Sequence, residues 1–242
     1  MPAVHVPCAI DAHTHTIASG HAYSTVAELA AEAARKRLEA IAITDHAPNM
    51  PGAPSYLHFL NLHKLPKTLL DVRVLTGVEL NILNADGDVD LGNNVYKNLD
   101  VVIASLHVPC FKPLSVEEHT SAVINAMKNP YIKIIGHLGD PRYPIDIKKT
   151  VDAAKKTGTA IEINNVSLNP DSDVRIGGAG IVKDIALECK AQDVHVIMGS
   201  DAHFYTEVGE LYFAQKLLAE IDYPQELILN RSVTALLEFV SE

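Results

Sequence analysis

The chain has 242 residues, 48% of them apolar, and it carries a formal net charge of −10. This length suits one (β/α) barrel of about 250 residues, and the apolar fraction is sufficient for a large buried core. The acidic charge disfavours an extended nucleic-acid surface, because proteins that follow phosphate backbones usually carry basic patches.

The sequence predicts one cytoplasmic domain over residues 1–242, without membrane segments. No linker or internal repeat divides the chain, and no run reaches the roughly 18 apolar residues of a membrane span. The three cysteines, Cys8, Cys110 and Cys189, are odd in number and widely spaced, which indicates reduced thiols. The sequence leaves open whether the chain forms a homo-oligomer.

The first apolar run, at residues 8–13, ends in the motif DAHTH at 11–15. Residues two apart on a strand point to the same side of the sheet. His13 and His15 can therefore present two imidazoles to one metal ion. Asp11 is expected to face the same way and to orient one of these imidazoles.

Six further apolar runs follow and alternate mostly with helical patterns. The expected strands span residues 40–44, 72–78, 101–106, 132–136, 159–163 and 194–199. The expected helices span residues 26–38, 115–127, 146–157, 206–221 and 233–240, with one more from the Gly-rich segment at 177–180 to Gln192. Strands that alternate with helices predict a parallel sheet, and at this length a barrel.

Six of the seven predicted strands end at a His, Asp or Glu. The carboxyl ends of barrel strands converge on one face, where catalysis occurs in such folds. The residues gathered at this mouth are His13, His15, His21, His46, Glu79, His107, His137, Asp201 and His203. Because one zinc ion takes about four ligands, seven imidazoles and two carboxylates would suit two or three ions. Ligands of these kinds suit Zn, Mn or Fe.

These segments resemble the PHP domain family, named for polymerase and histidinol phosphatase, and especially its small stand-alone phosphatases of the YcdX type. The resembling segments are DAHTHT at 11–16, GHAYST at 20–25, ITDHAP at 43–48, GVELNI at 77–82, His107, GHLGDPRYPID at 136–146, IEINN at 161–165 and GSDAH at 199–203. The resemblance implies an α/β fold, a distorted (β/α)7 barrel of the PHP type. It also implies three divalent metal ions, expected to be zinc, with manganese or iron as the alternatives.

The resemblance further implies how the ligands divide among the ions. The first ion is expected on His13, His15, Glu79 and Asp201, the second on Glu79, His107 and His137, and the third on His21, His46 and His203. Glu79 would thus bridge two ions. Together with Asp201 and His203 it forms the expected catalytic group.

The expected activity is metal-dependent hydrolysis of phosphate monoesters of small molecules. Clustered divalent cations screen the charge of the ester and lower the pKa of a bound water toward about 7. Arg142, in the loop after His137, and His58, in the loop after the second strand, are the predicted substrate contacts. Two alternatives stay open: a phosphodiesterase or exonuclease, as in polymerase-associated PHP domains, and a metal-binding protein without turnover.

The remaining histidines and Cys110 have plainer interpretations. We expect His5 and His119 at the surface and His195 as a structural residue within the seventh strand. Cys110 lies close after the fourth strand and could supply a thiol nucleophile, but a small buried cysteine is the commoner role. Asp140 stands where the family pattern has a neutral Asn, which bears on phosphate affinity in that loop.

Overall fold

The computed structural model describes residues 6–241, which contain seven parallel strands and one short antiparallel strand. The strands are β1 (Ile10–Thr14), β2 (Ala40–Ile43), β3 (Thr68–Leu69), β4 (Val72–Asn81), β5 (Val101–Ser105), β6 (Ile134–Ile135), β7 (Ala160–Asn164) and β8 (Val196–Gly199). The helices are α1 (Val26–Arg35), α2 (Tyr56–Asn61), α3 (Asn93–Tyr96), α4 (Val116–Ala126), α5 (Ile147–Thr157), α6 (Gly178–Ala191), α7 (Tyr212–Glu220) and α8 (Val233–Ser241). None of these helices is long and apolar enough to cross a membrane.

The parallel strands run in the order β1-β2-β4-β5-β6-β7-β8 and curve into a nearly closed barrel, while β3 pairs with the start of β4. β1 and β8 meet through single contacts instead of a regular ladder. The backbone N–H of His15 donates to the carbonyl of Ala202 at 2.9 Å, and that of Asp201 donates to His13 at 2.9 Å. The distorted (β/α)7 barrel expected from the sequence is therefore confirmed.

An apolar cluster fills the amino-terminal end of the barrel. It contains the first residues of five strands, which are Ile10, Ala40, Val101, Ile134 and Ala160. Leu236 of α8 is buried in the same cluster, so this last helix closes the amino-terminal end. The carboxyl-terminal end stays available for the polar residues that follow the strands.

Local sequence signals explain where two of the helices begin. Thr25 accepts a hydrogen bond from the Glu28 backbone N–H, and the Glu28 carboxylate accepts one from the Thr25 N–H at 2.7 Å. Ser115 and Glu118 form the same reciprocal pair before α4. Such a capping box satisfies backbone donors that a helix start otherwise leaves unpaired.

The helix predicted over 206–221 is wrong in its first half. Residues Tyr205–Glu207 form only a short 3-10 turn, and α7 begins at Tyr212. Between them Gly209 has a φ of +71°, and its N–H donates to Asp11 at 2.7 Å. This left-handed residue interrupts any continuous helix.

The histidines outside the predicted ligand set differ in environment. His119 is fully buried, so the expectation of a surface residue is wrong. Its ring links two loops: Nε2 accepts from the Leu114 N–H at 2.7 Å, and Nδ1 donates to the Pro144 carbonyl at 3.0 Å. His195 is partly buried and directly precedes β8. His5 lies outside the described residues.

Candidate metal centre

Glu79 lies at the centre of the carboxyl-terminal mouth of the barrel and is fully buried. It projects from within β4, which continues beyond the predicted strand end. Its Oε1 is 2.8 Å from His137 Nε2 and 3.1 Å from His107 Nε2. Its Oε2 is 2.7 Å from His46 Nδ1. The two carboxylate oxygens therefore face different imidazoles, and one narrow mouth gathers residues from four strands or their ends.

Two imidazoles, one within β1 and one directly after it, join the group around Glu79 Oε2. β1 gains one residue relative to β2 between Asp11 and Thr14, which is a β-bulge. After the bulge, His13 Nε2 lies 3.4 Å and His15 Nε2 lies 3.6 Å from Glu79 Oε2. The predicted convergence of these two rings is thus present in the structure.

Asp11 contacts His13 through the backbone and not through the imidazole: its carboxylate accepts from the His13 N–H at 3.4 Å. The Asp11 carboxylate accepts hydrogen bonds from the Ser200 N–H at 3.1 Å, the Ser200 hydroxyl at 2.5 Å and the Gly209 N–H at 2.7 Å. It therefore anchors the segment after β8. The prediction that Asp11 orients an imidazole is wrong, because the extra residue reverses the facing of the side chains that follow.

Asp201 completes the group next to β1. Its Oδ1 is 3.2 Å from His15 Nε2 and 3.6 Å from His13 Nε2. Its backbone has a φ of +56°, and that of His137 has a φ of +26°. Non-glycine residues with a φ in this range are uncommon and carry some backbone strain, so the surrounding contacts must hold these two side chains in place.

A second group of rings lies beside the first. One nitrogen from each of His15, His46 and His203 lies within 4.8 Å of the others. The His21 ring centroid is 4.9 Å from that of His46 and 4.9 Å from that of His203. All nine predicted ligands therefore meet at one mouth. Since His15 and His46 contact both groups, the distances leave the division among ions open.

Several buried polar atoms of this cluster have no hydrogen-bond partner. They are His13 Nε2, His15 Nε2, His46 Nδ1, His107 Nε2 and Glu79 Oε2. Buried polar atoms ordinarily have partners, so lone pairs directed at a common centre need another explanation. Divalent cations that prefer imidazole and carboxylate ligands supply it, and the residues present fit a zinc-type metal centre.

Outer partners orient these rings through Nδ1. The pairs are His13 with Glu162 Oε1 at 2.7 Å, His107 with Asn81 Oδ1 at 2.7 Å and His15 with Ser19 Oγ at 3.2 Å. Carboxylate and amide oxygens only accept, so Nδ1 of His13 and of His107 carries the proton. In the neutral form of each ring, Nε2 is therefore the nitrogen that can bind a metal.

Glu162→Gln is expected to weaken zinc binding by about 10- to 100-fold. Glu162 Oε2 also accepts from the His137 N–H at 2.7 Å, so both of its oxygens are needed as acceptors. An amide supplies only one. Competition with a chelating dye would measure the affinity, with the exposed Glu226→Gln as control. Unchanged zinc affinity in Glu162→Gln would show that Glu162 does not orient the ligands.

The electrostatics of the site favour binding of cations. Burial opposes ionisation of Glu79, but the imidazoles, His107 foremost, hold its pKa well below the usual value. Burial also opposes ionisation of Asp201, and His13 foremost holds that pKa well below the usual value. Burial lowers the pKa of His107 to about 4 and that of His15 well below its usual value. Near neutral pH these groups are therefore in the forms that bind metal.

A cavity of about 360 Å³ opens onto the cluster. Its lining includes His21, His46, His107, Asp201, His203 and Arg175. Arg175 was not predicted: its Nη2 is 2.9 Å from Asp201 Oδ2, and its Nη1 is 3.1 Å from Asn164 Oδ1. In the sequence, the only indication that Arg175 could reach the site is its position in the loop that follows the carboxyl end of β7.

The predicted substrate contacts have other partners. The Arg142 guanidinium is bound by Asp140, with Nη2 to Oδ2 at 2.6 Å. His58 Nε2 lies 3.3 Å from Asp45 Oδ2. Neither Arg142 nor His58 lines the cavity, and their contact with a substrate stays a prediction. Burial raises the pKa of Cys110 to about 11, so a thiolate nucleophile is disfavoured near neutral pH.

Two sequence comparisons show which known proteins this chain resembles. The PHP domain profile matches residues 11–168, a range that holds every predicted ligand except Asp201 and His203. A protein of Acetivibrio thermocellus named "Probable phosphatase" is 48% identical over 231 residues, which are 96% of this chain and 94% of that protein.

Solved structures share the fold at low sequence identity. The histidinol phosphate phosphatase of Lactococcus lactis subsp. lactis, complexed with zinc, L-histidinol and phosphate, has a TM-score of 0.62 at 17% identity and covers 89% of this chain and 94% of its own. A chain of the archaeal ribonuclease P structure with mature tRNA has a TM-score of 0.59 at 12% identity and covers 96% and 90%. These two likenesses concern the fold alone. Together with the profile match and the phosphatase relative, the ligand cluster leads to one conclusion: the chain belongs to the PHP domain family.

Proposed function

We propose that this PHP-family phosphatase hydrolyses phosphate monoesters of small molecules at a centre of three divalent metal ions. This proposal rests on one observation: buried ring nitrogens, most of them without a hydrogen-bond partner, converge on the two oxygens of Glu79. The near full-length relative named a phosphatase supports the reaction class. The zinc and phosphate bound by the Lactococcus lactis protein support zinc as the metal and a small phosphorylated substrate.

The proposed ligand sets are those expected from the sequence. Within each of three groups, the ligand atoms lie within 4.8 Å of one another, and these groups overlap the proposed sets without coinciding with them. These groups are His13 with His15 and Glu79, His46 with Glu79 and His107, and His15 with His46 and His203. Glu79 occurs in two of them, as a bridging ligand would.

The ions, when bound, would offset the charge of the phosphate and supply an activated water. The chain supplies the positions of the reacting groups. Glu79, Asp201 and His203 form the proposed catalytic group, and the last two also line the cavity. Arg175 lines it as well and is the proposed contact for the phosphate oxygens, because guanidinium groups bind phosphate through several donors at once.

The test is elemental analysis of the purified protein together with a panel of phosphate esters. We expect about three ions per chain at full occupancy and turnover of an aryl phosphate with added Zn or Mn. Faster cleavage of an aryl phosphodiester or of a single-stranded oligonucleotide would favour the phosphodiesterase or exonuclease alternative. Bound metal without turnover of any ester would favour a metal-binding protein.

We expect an activity optimum at neutral to alkaline pH and release of metal in acid. Burial opposes protonation of His13, but the carboxylates, Glu162 foremost, raise its pKa well above the usual value. Metal must therefore displace a proton from this ring, and a falling pH makes that harder. Zinc affinity and proton release measured against pH would test this. An activity maximum near about pH 4 with metal retained would contradict it, because the raised pKa of His13 keeps that imidazole protonated there when no metal is bound.

Two broader statements accompany this function. Residues 1–242 are proposed to act as one hydrolase domain. The cytoplasmic location stays a prediction from the sequence, which leaves open whether the chain forms a homo-oligomer.

A further inference from the structure

One part of the cavity above the metal cluster is apolar. Met50, from the loop after β2, and Val166 and Val174, from the loop after β7, line it together with the predicted ligands. Val174 is 45% exposed, so packing in a core does not account for this side chain. An exposed valine beside a polar cluster is instead available to a bound molecule.

The charged groups around this cavity suit a single anionic group. Apart from the predicted metal ligands, the charged residues that line it within residues 6–241 are Arg175 and Glu207. Arg175 is therefore the one guanidinium or ammonium group in the lining. The Glu207 carboxylate accepts from the backbone N–H groups of His203 at 2.8 Å and Phe204 at 3.1 Å. Apart from the proposed ions, which the phosphate would occupy, a second anionic group on a substrate would meet Glu207 and no further cation of the lining.

We infer that the cavity selects phosphate monoesters of small, uncharged alcohols with an apolar surface, and that Val174 is a specificity-determining residue. This inference rests on the proposed function. The phosphate would lie at the ions, so the alcohol must extend into the remaining space beside Met50, Val166 and Val174. The volume of about 360 Å³ is near the lower end of the roughly 300–1,000 Å³ of ligand pockets, which limits the alcohol to a small one.

The experiment compares three esters of primary alcohols or hydroxy acids on the metal-loaded protein. Benzyl phosphate has an apolar alcohol, glycerol 3-phosphate has a polar one, and 3-phosphoglycerate adds a carboxylate. We expect kcat/KM for benzyl phosphate to exceed that for glycerol 3-phosphate by about 10-fold, the usual scale for apolar contacts in a pocket. The value for 3-phosphoglycerate is expected to be the lowest.

Val174→Thr retains the side-chain shape and replaces one methyl group with a hydroxyl. We expect it to lower the preference for benzyl phosphate over glycerol 3-phosphate by about threefold to fivefold, as loss of one apolar group predicts. Ile176→Thr is the matched control, because Ile176 lies in the same loop, is 75% exposed and does not line the cavity. It should leave the preference unchanged.

Four results would overturn the inference: equal hydrolysis of the benzyl and glycerol esters, an unchanged preference in Val174→Thr, an equal shift in Ile176→Thr, or a highest rate with 3-phosphoglycerate. Each of these leaves the phosphatase assignment intact. If no monoester is hydrolysed by the metal-loaded protein, the proposed function fails and the inference falls with it.

Discussion

Glu79→Gln is expected to lose metal at two of the three proposed positions and nearly all phosphatase activity. The carboxylate has Oε1 2.8 Å from His137 Nε2 and Oε2 3.4 Å from His13 Nε2, so its two oxygens face the ligands proposed for two different ions. A neutral amide offers one acceptor oxygen and no compensating charge. Removal of a group that only orients a metal ligand costs about 10- to 100-fold, so loss of a bridging ligand should lower kcat by about 100-fold or more.

Metal stoichiometry, phosphatase rate and circular dichroism would be measured on this variant and on two others. His21→Ala is expected to empty mainly the third position, since its ring contacts those of His46 and His203. His195→Ala is the control, because His195 packs on Phe239 of α8, the helix that closes the opposite end of the barrel. A folded Glu79→Gln protein with full metal content and near-normal turnover would exclude the bridging role.

The barrel could be predicted because each strand is a short apolar run that ends near a polar residue. β2 and β8 lie almost where the sequence placed them, and their ends carry His46, Asp201 and His203. Periodicity does not reveal an inserted residue, however. The bulge in β1 changed the facing of side chains within the strand, so Asp11 was assigned to the wrong side of it.

The positions of two arginine side chains could not be predicted from the sequence, for a different reason. Arg142 is close to His137 in the chain, yet Asp140, only two residues before it, binds its guanidinium. Arg175 is remote from every predicted ligand in sequence. Its backbone has a φ of +55°, and its ion pair with Asp201 holds the side chain at the cavity. No local pattern encodes such a placement, because it depends on the assembled loops.

Arg175→Ala is expected to lower kcat/KM for phosphate monoesters by about 30-fold or more, the usual cost of truncating one partner of a buried, hydrogen-bonded charge pair. The Arg175 side chain is 8% exposed, and it lines the cavity in which the phosphate is proposed to bind. Inhibition by inorganic phosphate should weaken in parallel. Metal content should be retained, since Asp201 uses Oδ2 for Arg175 and Oδ1 for the histidines.

Two further variants separate binding of phosphate from support of Asp201. Arg175→Lys keeps one positive charge but cannot bond Asp201, Asn164 and a phosphate through one planar group, so we expect an intermediate loss. Arg142→Ala tests the contact predicted from the sequence, and we expect less than about a threefold change, because Asp140 binds the Arg142 guanidinium and Arg142 does not line the cavity. If Arg175→Ala loses metal while its affinity for phosphate is unchanged, Arg175 acts only through Asp201. If Arg142→Ala shows the larger loss of phosphate affinity, the phosphate contact belongs to Arg142 and the proposed role of Arg175 is wrong.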